Sequence, residues 1–195
     1  QAGSDAGSVR FAGAEMMGRP MPARVRAGMS RSFQITSILP GFTVLENVAT
    51  AVQAHAGSSF RFFAPVARDA GLNAQALDAL SRVGLADRAD TRAGSLSHGE
   101  KRALELAIAL ATRPRLLLLD EPLAGTSGAE AERLVQVMAG LKRQVTLVLI
   151  EHDMDAVFAL ADRVSVLVYG RIIATGTPDQ VRADPAVRAA YLGDA

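Results

Sequence analysis

Two adjacent carboxylates end an aliphatic run, and they are the residues of this sequence best suited to chemistry. Asp120 and Glu121 follow four consecutive leucines at residues 116–119. In open α/β sheets, sites form beyond the carboxyl ends of the strands. There the first acid can orient the shell of a magnesium ion, and the second can face an attacking water and accept its proton. The alternative is a strand end with two hydrated acids and no site.

A short polar turn upstream has a second chemical use. Ser97-x-x-Glu100 has the spacing of a capping box, in which the hydroxyl and the carboxylate satisfy amides at the start of a helix. Gly99 in that first turn lowers helix propensity by about 1 kcal/mol relative to alanine, but leaves room for another backbone or an anion. Free amides and the positive end of the helix dipole attract anions. The alternative is a helix cap without a ligand.

Two further polar residues are ambiguous when they are considered alone. His152 follows Glu151 directly after the aliphatic run 145–150, and Gln34 follows a short possible strand. A lone histidine or glutamine is more often structural than functional. The residues themselves leave both interpretations open.

The second half of the chain predicts the sheet that must position these side chains. Helical patterns alternate with short aliphatic strands, namely helices 98–112, 129–142 and 153–161 before strands 115–120, 145–150 and 163–168. Such alternation is typical of a mostly parallel sheet that helices cover on both faces.

Residues 43–95 instead carry helix signals without strands. Thr43 and Glu46 form another capping box, and Asn73 is predicted to cap a second helix that ends at Gly84. We therefore predict an inserted helical lobe over residues 43–95. A phenylalanine cluster within it fits either the lobe's core or a groove for a partner, namely Phe60, Phe62 and Phe63.

Composition excludes several classes of protein. The formal net charge is +1, so no overall field favours nucleic acid. The absence of cysteine excludes disulfides and thiolate metal sites. The apolar runs are far shorter than the roughly 20 residues of a membrane helix.

In order, these motifs resemble the Q-loop, signature, Walker B and switch-histidine motifs of ABC-type ATPases. Their residues are Gln34, then Ser97 to Glu100, then Asp120-Glu121, then His152. His98 and Glu100 stand where the family pattern L-S-G-G-Q has glycine and glutamine. The stretches T-V-L-E-N-V and I-E-H-D-M look most like the ATP-binding subunits of bacterial branched-chain amino-acid importers.

The resemblance implies ATP and Mg²⁺ as ligands and assigns the residues to three roles. Glu121 and His152 would be catalytic, with Glu121 as the base and His152 at the γ-phosphate. Asp120 and Gln34 would serve the metal. The remaining contacts to ATP would come from Gln34 and, toward a nucleotide held by the opposing subunit, from Ser97, His98, Gly99 and Glu100.

The resemblance also implies a fold and an assembly. The fold would be a P-loop NTPase-like α/β core with core residues 1–42, helical lobe 43–95 and core 96–195. No G-x-x-x-x-G-K-S/T phosphate loop occurs in the 195 residues, so we expect that loop and the family's N-terminal strands to precede Gln1. The partners would be a second ATPase subunit, identical or different, and transmembrane permease subunits, at the cytoplasmic face of a bacterial inner membrane.

The alternatives are an importer of another solute such as urea or lipid, and a module that docks on a transporter without hydrolysing ATP. A non-transport ABC ATPase of DNA repair or translation is a weaker alternative.

Overall fold

The computed structural model describes residues 7–31, 38–56 and 70–192. For residues 191 and 192 it describes the backbone only. Gln34 and the three lobe phenylalanines lie outside these residues. No helix in the part of the chain described is long and apolar enough to span a bilayer.

The first half of the chain is a small hairpin followed by helices. Its elements are β1 (Arg10–Phe11), β2 (Ala14–Glu15), α1 (Met21–Arg26), β3 (Met29–Arg31), α2 (Val44–His55) and α3 (Ala70–Arg82), with single 3₁₀ turns at Ala86–Arg88 and Ala93–Ser95. The capping box of α2 is confirmed: the Glu46 amide donates to the Thr43 hydroxyl over 3.1 Å, and the Thr43 amide donates to the Glu46 carboxylate over 2.7 Å.

The predicted cap of α3 is wrong. Asn73 lies inside the helix, because Ala70–Arg82 is helical and residues 70–72 already belong to it. A capping side chain is a local preference, and the helix continues past it when neighbouring residues also adopt helical angles. The other end is as predicted, with Gly84 at a φ of +72° just beyond the helix.

The second half alternates helices and strands, as predicted. Its elements are α4 (His98–Leu110), β4 (Leu116–Asp120), α5 (Gly128–Leu141), β5 (Thr146–Ile150), α6 (Met154–Leu160), β6 (Val164–Val168), β7 (Arg171–Gly176), α7 (Pro178–Ala183) and α8 (Pro185–Val187), followed by a π turn at Arg188–Leu192.

A parallel sheet positions the predicted site. Its order is β3-β4-β5, and both neighbouring pairs run parallel. Asp120 lies opposite Ile150 in the register, so β4 and β5 end at the same level. The residues that follow these strands, Glu121 and Glu151, therefore leave the same edge of the sheet.

Strands β6 and β7 form a separate antiparallel hairpin. Tyr169 and Gly170 make the turn between them with φ angles of +47° and +76°, as tight turns of β-hairpins require.

The buried apolar residues in the described part of the chain form two clusters. The larger one joins helices α2 to α6 with β4 and the start of β5. The smaller one surrounds the hairpin and consists of Val164, Val166, Val181 and Val187. The helices of residues 43–95 share the larger cluster with the sheet; their separation as a lobe stays a prediction.

Candidate active site

The predicted acids lie where β4 ends. Asp120 is the last residue of the strand, and its side chain is 19% exposed. Glu121 follows in a left-handed conformation with a φ of +47°, and its amide donates to the Ile150 carbonyl over 2.9 Å. Left-handed backbone is uncommon for residues other than glycine and asparagine, and such conformations cluster at functional sites. The conformation re-aims the chain immediately after the strand and leaves the Glu121 side chain 46% exposed.

Arg31 is an ion-pair partner of Asp120 that sequence analysis missed. Its guanidinium lies 2.7 Å from the Asp120 carboxylate. The two residues are 89 positions apart, and only the pairing of β3 with β4 brings them together. The signal in the sequence was a basic residue within a possible strand, which is too common to indicate a site.

His152 lies beside Glu121 across the gap between the two strand ends. Its Nδ1 atom is 3.9 Å from Glu121 Oε1, and its side chain is 76% exposed. That separation is longer than a hydrogen bond, so both side chains remain available to a third group. The structure thus brings together the predicted pair of catalytic residues.

Glu151 is a second residue that sequence analysis missed. Its side chain is 1% exposed and accepts hydrogen bonds from the Leu123 amide over 2.9 Å and the His152 amide over 3.0 Å. One carboxylate thus connects the loop after β4 to the loop after β5.

The predicted capping box at the start of α4 is present. The Ser97 amide donates to Glu100 over 2.9 Å, and the Glu100 amide donates to the Ser97 hydroxyl over 3.2 Å. His98 lies against the segment after β4, with Nε2 3.2 Å from the Ala124 carbonyl oxygen. The first turn of α4 is therefore in contact with the chain that follows the two acids.

A carboxylate from α5 occupies the donors at the start of α4. Glu130 Oε1 accepts from the Ser97 hydroxyl over 2.8 Å and from the Gly99 amide over 3.1 Å. Its Oε2 accepts from the amide and hydroxyl of Ser127 over 3.1 and 3.0 Å. Hydrogen bonds from the Ser127 amide, the Ser97 hydroxyl and the Gly99 amide lower the pKa of Glu130 to about 2.

This contact explains the glycine in the first turn of α4. A Cβ atom on Gly99 would lie 2.7 Å from Glu130 Cβ, which no real pair of carbon atoms tolerates. Sequence analysis predicted that Gly99 leaves room for another backbone or an anion. In this structure the group that approaches Gly99 is the Glu130 carboxylate.

The donor set fits a magnesium ion that keeps most of its water. Among the described residues, no group of three or more His, Asp or Glu side chains is arranged to hold a metal. Mg²⁺ commonly uses one or two carboxylates together with water and phosphate oxygens. Asp120, at the strand end, is a carboxylate of this kind, and in this structure it is paired with Arg31.

Comparison with known proteins decides the family. A family model described as ABC transporter matches residues 1–124. The chain belongs to the ABC transporter family. A model described as branched-chain amino acid ATP-binding cassette transporter matches residues 171–195. The predicted family is therefore confirmed.

Relatives and solved structures agree with this assignment. The high-affinity branched-chain amino acid transport ATP-binding protein BraF of Pseudomonas aeruginosa is 38% identical over 196 residues, which cover 97% of this chain and 77% of BraF. The corresponding protein LivG of Escherichia coli is 34% identical over 198 residues, with the same coverage.

A structure of an ATP-binding cassette of an ABC transporter in its ADP conformation matches with a TM-score of 0.83 at 28% identity, over 99% of this chain and 79% of that one. A nucleotide-free cassette matches with a TM-score of 0.81 at 27% identity, with the same coverage. These neighbours confirm the predicted P-loop NTPase-like fold class.

Proposed function

We propose that this chain belongs to the ATP-binding and ATP-hydrolysing subunit of a bacterial ABC importer for branched-chain amino acids. The observation that carries the proposal is the placement of Asp120, Glu121 and His152 at one sheet edge, with Glu121 and His152 3.9 Å apart. The names of BraF and LivG support the choice of solute. Importers of another solute such as urea or lipid are the second candidates, because the identity to BraF and LivG is 38% and 34%.

The proposed mechanism gives each residue one task. Glu121 accepts a proton from the water that attacks the γ-phosphate. His152, across the gap, contacts that phosphate and orients the water. Asp120, together with Gln34, would hold the Mg²⁺ that accompanies ATP, and that ion would supply positive charge to neutralise the phosphates. Exposure of Glu121 and His152 leaves both side chains accessible to a nucleotide.

The start of α4 is proposed to act on a nucleotide bound by a second ATPase subunit. Residues Ser97 to Glu100 present a hydroxyl and helix amides, which suit a phosphate. While Glu130 accepts from Ser97 and Gly99, these donors are engaged. A phosphate must therefore displace Glu130 or share the donors with it.

Glu121→Gln in the full-length protein tests the proposal. The amide keeps the shape of the side chain but is a poor proton acceptor. We expect ATP affinity to be retained, phosphate release to stop, and ATP-dependent dimers to accumulate on size exclusion. Glu132→Gln, an exposed glutamate on α5, is the matched control and should hydrolyse ATP normally. Normal turnover in Glu121→Gln would remove this residue from the role of base.

The 195 residues alone are expected to bind ATP only weakly, because they contain no phosphate-loop pattern. Isothermal titration and a phosphate-release assay measure this. Micromolar affinity or Mg²⁺-dependent turnover would contradict it and would favour a nucleotide cradle of another kind.

We propose permease subunits as further partners, with attachment at the cytoplasmic face of the inner membrane. A cavity of about 490 Å³ between α1, β3, α2 and α4 has the mainly apolar lining that suits a permease segment. Ala54 lies on the wall of this cavity and is exposed.

Ala54→Glu should abolish co-purification with the permease, while ATP hydrolysis by the ATPase subunit continues. Ala139→Glu, on the exposed side of α5, is the control and should preserve both co-purification and hydrolysis. Intact co-purification of Ala54→Glu would place the contact elsewhere.

A further inference from the structure

Glu151 is a buried carboxylate that the mechanism above does not use. Its side chain is 1% exposed, whereas those of Glu121 and His152 are 46% and 76% exposed. Among the residues that the structure describes, the basic group found within 4 Å of it is the His152 ring, with Nδ1 3.7 Å from Oε2. A buried carboxylate is costly unless hydrogen bonds compensate for the lost water. The compensation here comes from backbone amides.

Those amides belong to both sides of the proposed hydrolysis site. Oε1 accepts from the Leu123 amide, two residues after Glu121. Oε2 accepts from the amide of His152 itself. The two oxygens of one side chain therefore hold the loop that carries Glu121 and the loop that carries His152.

The sheet alone does not fix this separation. Strand pairing ends with Asp120 opposite Ile150, and the Glu121 amide makes one further bond to the Ile150 carbonyl. Beyond that point the described contacts that join the two loops are those of Glu151 and the 3.9 Å approach of Glu121 to His152. A bond to a buried charged acceptor is stronger and more directional than one between neutral groups.

We propose that Glu151 is a positioning residue, which fixes the distance between Glu121 and His152 by holding both loops through one carboxylate. The inference rests on the proposed function, because the two side chains that it positions are the proposed base and phosphate contact. Glu151 itself lies behind them and contacts neither nucleotide nor water in the reaction.

Glu151→Gln in the full-length protein is the first test. The side-chain NH₂ group of glutamine must face either the Leu123 N–H or the His152 N–H. Because both groups are donors, that hydrogen bond is lost and the two groups repel each other. We expect kcat to fall by about tenfold to hundredfold, as a displacement on the order of 1 Å does at a catalytic centre. The dissociation constant for ATP should stay unchanged, because Glu151 does not contact the nucleotide. A melting temperature that falls while kcat stays normal would overturn the proposal.

Glu15→Gln is the matched control. Glu15 also accepts several backbone amides, from Val9, Met16 and Met17 over 2.9–3.0 Å, but at the end of β2 in the N-terminal hairpin. Its substitution should cost stability without changing kcat. Glu151→Asp keeps the charge and shortens the side chain by one methylene, so it should fold and still lose kcat. Full activity of Glu151→Asp would show that the side chain need not be long enough to hold both loops, which would overturn the proposal.

A double-mutant cycle with His152→Ala shows whether Glu151 acts through this site. If it does, Glu151→Gln should reduce kcat far less in the His152→Ala background than in the wild type. Equal factors in both backgrounds would overturn the proposal.

Amide exchange on the full-length protein tests the two bonds without any measurement of activity. In Glu151→Gln, the Leu123 and His152 amides should both lose protection, while Glu15→Gln should leave them protected. Unchanged exchange at both amides would overturn the proposal. If the wild-type protein hydrolyses no ATP, the proposed function fails, and the exchange result still decides whether Glu151 holds the loops together.

Discussion

Glu130 carries the largest change in acidity that the described residues show at the site, and the change has a direct consequence for stability. Its pKa is lowered from 4.5 to about 2 by hydrogen bonds that need the ionised form. A lowered pKa contributes stability that is present in full above pH 4.5 and is lost as the pH falls toward 2.

We therefore expect the unfolding free energy of the wild type to exceed that of Glu130→Gln at pH 6, and this difference to shrink as the pH falls from 5 to 3. Denaturant titrations at several pH values measure it. Glu132→Gln, in which an exposed glutamate on the same helix is changed, should show no such trend. A difference that is independent of pH would show that the Glu130 hydrogen bonds do not depend on its charge.

Gly99 tests the same contact from the other side. Glycine to alanine inside a helix normally stabilises by about 0.5–1 kcal/mol, but here the new methyl group would lie 2.7 Å from Glu130 Cβ. We expect Gly99→Ala to destabilise by about 1–3 kcal/mol, as overpacking does. Gly140→Ala on α5, where a Cβ meets nothing within 4 Å, should stabilise instead. Thermal unfolding of both variants decides the sign, and a stabilised Gly99→Ala would show that Glu130 moves aside freely.

At the residue scale, the sequence predicts residues whose signal is local and misses those whose role depends on the fold. Asp120, Glu121 and His152 follow aliphatic runs, and runs are visible in any short window. Arg31, Glu130 and Glu151 act on partners 28 to 89 positions away. Such pairs form only after strands and helices pack, so no pattern within one segment reveals them.

Among the elements, the helix starts were the most predictable. The boxes predicted at Thr43 and Ser97 both form, because each needs only a hydroxyl and an acid three residues apart. Asn73 shows the limit of this reasoning, since the same residue type lies inside α3 where neighbouring residues extend the helix.

The start of α4 yields a prediction that separates capping from nucleotide contact. In the full-length protein, Ser97→Ala should cost about 1 kcal/mol, the usual cost of losing a cap, and Ser97→Arg should in addition stop ATP hydrolysis while ATP affinity stays nearly intact. The expected cause is that a bulky cation there would block the approach of the proposed second subunit. Melting temperature, ATP affinity and turnover are measured together.

Ser81→Arg, the same change on an exposed turn of α3, is the control and should leave turnover unchanged. If Ser97→Arg hydrolyses ATP at the wild-type rate, the assignment of residues 97–100 to a partner's nucleotide is wrong, and the composite site with it.

For the whole molecule, the sequence predicts a sheet that helices cover on both faces. In the described part of the chain, one face of β5 is exposed instead. Val148 and Ile150 of β5 are 45% and 61% exposed, and Leu167 of β6 is 59% exposed. Among the described strands, β5 pairs with β4 alone, and the hairpin β6-β7 does not join the parallel sheet. Periodicity predicts which segments are strands, but it does not say which strands are neighbours.

The buried apolar residues in the described part of the chain fall into two clusters, from which we expect the hairpin to open more readily than the parallel sheet. The hairpin with α7 and α8 rests on four buried valines, whereas the parallel sheet shares a cluster several times larger. Regions with few buried contacts open at lower free energy than the rest of the fold. Native-state amide exchange should therefore give a smaller opening free energy for the Val166 amide than for the Leu117 amide. Val187→Ala should lower the opening free energy of the Val166 amide and leave that of the Leu117 amide unchanged. Equal values at both amides would mean that the two clusters melt together.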